Sequence, residues 1–124
     1  MLLRKKDKDC LVEIFSSVNL PIEVWAYGSR IKGTAHIGSD LDLVIRTHNL
    51  FPLPSGIYNE LYEKIKNSNI PILVELWDWT RLPESFQKNI EHQHEILFEN
   101  MNNINFKLND PTTEYNRKSF EDDV

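Results

Sequence analysis

The chain reads Ile22-Glu23-Val24-Trp25-Ala26-Tyr27-Gly28-Ser29-Arg30-Ile31-Lys32-Gly33-Thr34-Ala35 and, after a short interval, Ser39-Asp40-Leu41-Asp42-Leu43-Val44-Ile45-Arg46. Ile22 to Tyr27 is rich in β-branched and aromatic residues and closes on Gly28-Ser29, as a buried strand does where it stops at a tight turn. Asp40 to Arg46 begins by alternating. On a second strand Asp40 and Asp42 therefore share one face, while Leu41, Leu43 and Ile45 share the other. Between the strands, Gly28 to Gly38 holds three of the chain's four glycines, which predicts a turn with at most one short helical turn.

That pattern suits a particular chemistry. Two carboxylates at i and i+2 of a strand stand roughly 7 Å apart on one face, near enough to bridge hard divalent cations, which take oxygen ligands. A Gly-Ser turn directly after a strand can offer backbone N–H groups and a hydroxyl to phosphate oxygens, because glycine allows both the conformation and the close approach. Metal ions held by the carboxylates would orient an attacking oxygen and absorb charge on a leaving pyrophosphate. The combination describes nucleotidyl transfer. At ordinary residue frequencies these four residues occur at this spacing by chance roughly once in a thousand chains of this length.

Outward from this centre, Leu11, Ile14, Phe15 and Val18 mark one face of a helix that ends before Asn19 and Pro21. Ile57, Leu61 and Ile65 mark a second helix, with Ser55 as its expected cap. Ile70 to Trp77 reads as a third strand. Pro83 to His94 reads as a third helix with Phe86, Ile90 and His94 inward, and Ile96–Phe98 with Ile104–Leu108 as an edge hairpin. Residues 109–124 form a polar tail too hydrophilic to fold without a partner, so the domain is expected to span 1–108.

Composition narrows the function. The 124 residues suffice for one domain with its own core. Hydrophobic residues make up 40% and charged residues 27%, as in globular proteins. A net charge of −5 argues against direct nucleic-acid binding. Cys10 is the single cysteine, which excludes an internal disulfide and a multi-cysteine zinc site. No stretch is apolar enough for a leader or a membrane span. A cytoplasmic protein is the expectation.

The run Trp25 to Ala35 followed by Ser39-Asp40-Leu41-Asp42-Leu43 resembles the minimal nucleotidyltransferases of the DNA polymerase beta superfamily, and among these the antitoxins encoded beside HEPN ribonuclease toxins. The similarity extends from about Ile22 to Leu97. The resemblance implies an α/β (α+β) single domain, a small mixed β-sheet flanked by helices. It places Gly28, Ser29, Arg30 and Ser39 at the nucleotide, and Asp40 and Asp42 on Mg²⁺. It also implies ATP as donor and transfer of AMP to a tyrosine hydroxyl of the HEPN toxin, which silences it. The family's third acidic residue lies on the next strand, where Val74-Glu75-Leu76-Trp77-Asp78-Trp79 has glutamate in place of the usual aspartate. Glu75 and Asp78 are three apart and would face opposite ways on one strand, and parity selects Glu75 as the third metal ligand and catalytic carboxylate.

Blander readings exist for several of these residues. Asp40 and Asp42 alone are compatible with the wet face of an edge strand, but not in combination with Gly28-Ser29. Arg30 and Lys32 follow the turn and suit a triphosphate, as exposed loop cations also would. His36 fits a solvated loop, His94 a packed position, and Trp77 and Trp79 the core. Two rival functions remain: an antitoxin that acts by binding alone, and a small-molecule transferase of the aminoglycoside type.

Overall fold

The computed structural model describes residues 1–34 and 38–101. Four helices and four strands follow in the order α1 Lys5–Ser16, β1 Ile22–Tyr27, α2 Ser29–Lys32, β2 Leu41–Thr47, α3 Ser55–Lys66, β3 Val74–Asp78, α4 Glu84–His92 and β4 Glu95–Glu99. The sheet order is β3-β2-β1-β4. β1 runs antiparallel to β2 and to β4, whereas β2 and β3 are parallel. Parallel neighbours require a crossover, and α3 supplies it. The mixed sheet flanked by helices is thus the architecture expected from the sequence.

Strand alternation divides the side chains between two faces. Val24 and Ala26 of β1, Leu41, Leu43 and Ile45 of β2, and Leu76 of β3 point to one face, where Leu11 and Phe15 of α1 and Leu61 and Ile65 of α3 complete the main core. Leu11, Phe15 and Leu61 are essentially inaccessible, and each such side chain contributes about 2 kcal/mol by leaving water. The opposite face carries Trp25 and Val44, covered by Trp79, Leu82 and Ile90 from the segment after β3 and from α4. That second cover is small. It leaves the ends of β1, β2 and β3 next to Gly28 open on this face.

Several expectations need correction. β3 starts at Val74 instead of Ile70, because Pro71 has no N–H to give to a ladder. Ser55 opens α3 after Pro54 and makes no side-chain cap. α4 runs only from Glu84 to His92, with Ile90 buried and Phe86 55% exposed. His94 lies beyond the helix, its ring stacked on Trp25 at 3.7 Å. Ile96–Phe98 belongs to β4, which pairs with the edge of β1. Trp79 is buried as expected, but Trp77 is 43% exposed. The expected strand 104–108, the boundary at 108/109 and His36 lie outside the described residues. Among the described residues, no helix is long and apolar enough to cross a membrane.

Candidate active site

Register builds the site. Tyr27 of β1 pairs with Asp42 of β2, and Asp42 pairs with Glu75 of β3. Directly opposed residues of neighbouring strands share a face, so these three side chains form a row across the sheet at the edge of the smaller apolar cluster. Asp40 stands just before β2 and is exposed; Asp42 is half-buried and Glu75 exposed. Burial raises the Asp42 carboxyl above the ordinary carboxylate range, and the negative charges of Glu75 and Asp40 raise it further. The Tyr27 hydroxyl is pushed up to about 12 by burial, with Asp42 and Glu75 adding to it.

The turn meets the row. Gly28 has φ +83° and ψ −155°, a conformation open essentially to glycine alone. A Cβ on Gly28 would also overlap Oδ2 of Asp42. The backbone of the Gly-Ser turn therefore lies directly against the central carboxylate, as a phosphate shared between turn and metal would require. Gly28→Ala is expected to cost at least ~1–3 kcal/mol from the backbone alone and to displace Asp42. Thermal unfolding together with the loss of divalent-ion stabilisation checks this.

The donor set suits a hard cation. Asp40, Asp42 and Glu75 supply oxygen only, and among the described residues none of them forms an ion pair. Like charges gathered without a counter-charge are unfavourable unless a cation joins them. Among the described residues, no three ligating side chains are drawn together around one point as they stand. Mg²⁺ is usually held by one or two carboxylates together with water and substrate phosphates, a donor set that the opposed Asp42 and Glu75 can supply.

The remaining expected residues are placed as follows. Ser29 starts α2, half-buried, its carbonyl accepting from Thr34 N–H at 3.2 Å. Arg30 does not stand open beside it. The guanidinium is buried, 6% exposed, and donates to the backbone carbonyls of Ser39 and Leu2. Three of its N–H groups are thus engaged by main-chain carbonyls of the neighbouring segments. Ser39 takes part through its carbonyl oxygen. Lys32 is the exposed cation of the turn.

Asp78 is on the opposite face, as parity required, and it is structural. Its buried carboxylate accepts from Leu53 N–H, Thr80 N–H and Thr80 Oγ1, each at 3.0 Å. Two residues went unread as parts of this face. Tyr27 joins the row only through strand register, which no residue type announces. Arg46 lies 4.0 Å from the Trp25 ring centre and 4.5 Å from that of Trp79, and bridges Glu23 at 3.4 Å. Its cation–π contacts tie β2 to the Trp25–Trp79 cluster.

The family described as polymerase beta, nucleotidyltransferase matches residues 10–103. A probable protein adenylyltransferase MntA of Haemophilus influenzae is 38% identical over 76 residues, which cover 61% of this chain and 65% of that protein. The match thus spans just under two thirds of the relative's length. A crystal structure of a toxin-antitoxin with AMP-PNP has a TM-score of 0.61 over 81% of this chain and 79% of its own, at 18% identity. That similarity is one of fold.

Proposed function

The chain belongs to the polymerase beta nucleotidyltransferase family, and on that premise we propose that it transfers AMP from ATP to a tyrosine hydroxyl of a partner HEPN ribonuclease toxin and so acts as its antitoxin. The observation that carries this reading is the Asp42–Glu75 row beside Gly28, with Asp40 close enough to raise the Asp42 carboxyl. The 38% identity to a probable protein adenylyltransferase supports a protein acceptor.

Asp40, Asp42 and Glu75 would hold Mg²⁺, which supplies charge neutralisation for the triphosphate and the leaving pyrophosphate. The backbone of Gly28 and Ser29 binds and orients the phosphates. The acceptor hydroxyl approaches from the β3 side, where Glu75 is exposed. Its oxygen forms the new bond to the α-phosphorus, the bond from that phosphorus to the bridging oxygen of pyrophosphate breaks, and the hydroxyl proton passes to the Glu75 carboxylate. Tyr27, its hydroxyl pushed up to about 12, stays protonated and is no base.

Purified chain, Mg²⁺, ATP labelled at the α-phosphate and the neighbouring gene product test the reading. Label covalently on a tyrosine of the partner is the expected result. Neutralisation without label would instead establish an antitoxin that only binds. Label on an aminoglycoside, with the partner ignored, would establish the small-molecule transferase.

A further inference from the structure

Arg30 is the most deeply buried cation among the described residues, and its bonds are unusual in their targets. Nε and Nη2 both donate to the carbonyl of Ser39, at 3.0 and 2.7 Å, and Nη1 donates to the carbonyl of Leu2 at 2.6 Å. Leu2 N–H returns a bond to the Arg30 carbonyl at 3.2 Å. The charge is compensated at a distance by Asp7, which is buried, held by Arg4 and kept below the usual carboxylate range, first by that arginine's hydrogen bond. A guanidinium offers several donors in a fixed planar fork, and here one fork joins three separate segments: the turn after Gly28-Ser29, the residue preceding Asp40, and the segment before α1.

We propose that Arg30 is a positioning residue that clamps the entry to β2 and thereby sets Asp40 against the acidic row, with the Met1–Leu3 segment as the other jaw of the clamp. The peptide whose carbonyl Arg30 grips is the one that joins Ser39 to Asp40, so its orientation sets where the Asp40 side chain leaves the backbone. One residue on, Leu41 N–H donates to Leu73 O at 2.9 Å, the first link between the start of β2 and the β3 side. Loss of the clamp therefore loosens the N-terminal end of β2 and leaves its middle, where Val44 and Ile45 are inaccessible, untouched. The Leu2 bonds extend the same dependence to the chain's first residues, which the sequence marks only as an irregular lead into α1.

The proposal rests on the metal-dependent reading of the site, and its test separates the two. Arg30→Lys keeps the charge and loses the fork. Amide hydrogen exchange at Leu41 is expected to speed up at least tenfold, with Val24, Val44 and Ile45 unchanged. Mn²⁺ binding to the free chain, followed by calorimetry, is expected to weaken by about tenfold, as when an outer-shell residue that orients a ligand is lost. In an Asp40→Asn background the same substitution is expected to cost little more, because its effect runs through Asp40. Additive losses would show that Arg30 meets the ligand itself and would overturn the clamp. Faster exchange spread evenly over the sheet, or unchanged exchange at Leu41, would overturn it as well. Should the parent chain take up no Mn²⁺, the metal-dependent reading fails, and exchange at Leu41 still decides the clamp.

Discussion

Asp42→Asn is expected to melt at a higher temperature than the parent chain at pH 7 without divalent ions, and to transfer no AMP. Folding half-buries Asp42 and sets it between Glu75 and Asp40, so its carboxyl ionises less readily in the folded than in the unfolded chain. A carboxyl raised in this way favours the folded state when protonated. That contribution is fully present below the unfolded value, near 4, and is lost as the pH climbs through the folded value. At neutral pH the ionised Asp42 is thus a liability, which asparagine removes at nearly constant shape. The gain in Tm over the parent chain should vanish on acidification to below pH 4. Mg²⁺ reverses the comparison: it is expected to raise the Tm of the parent chain and to leave Asp42→Asn almost unmoved. An Asp40→Ala, Asp42→Ala double variant should stay folded and be inactive, since neither position belongs to the apolar core. Wild-type transfer by the double variant would sink the assignment of the acidic row.

What could be read before the fold was known follows from how each feature is encoded. β1 has the predicted bounds because a β-branched and aromatic run closes on Gly28. The Asp40/Asp42 pattern announced β2, and the parity of Glu75 against Asp78 held because alternation is a property of one strand, legible within five residues. Where two or more segments must meet, residue types were a poor guide. Trp77 and Trp79 look alike in sequence, yet β3 ends at Asp78, so Trp79 turns under into the cluster around Trp25 while Trp77 stays at the open edge. Phe86 was assigned inward by periodicity, but α4 is short and only its Ile90 side reaches the sheet. The hold of Arg30 on the backbone is illegible for a deeper reason. It donates to main-chain carbonyls of Ser39 and Leu2, and carbonyls are common to every residue. Bonds of this kind leave no complementary residue type in the sequence.

Glu75 and Asp78 give the sharpest separation of chemistry from architecture. Glu75→Gln keeps the side chain's size and removes its charge from an exposed position in line with Asp42. Transfer is expected to fall by roughly 10²-fold or more, the scale of losing a general base, with Tm unchanged or slightly higher because Asp42 loses a repelling neighbour. Glu75→Asp keeps the carboxylate and shortens its reach by one methylene, and it should keep or raise the rate. Asp78→Asn is expected to behave in the opposite manner. Its carboxylate accepts three hydrogen bonds behind the sheet and fixes Leu53 before α3 and Thr80 after β3. An amide offers one acceptor oxygen and turns two donors toward N–H groups, so about 1–3 kcal/mol of stability should be lost. Folded Asp78→Asn should still transfer AMP, because no atom of Asp78 reaches the row. Single-turnover rates at saturating Mg²⁺, normalised to the folded fraction, distinguish the two roles: a Glu75→Gln chain as fast as the parent beside an inactive, folded Asp78→Asn chain would mean that the chemistry belongs to the other carboxylate.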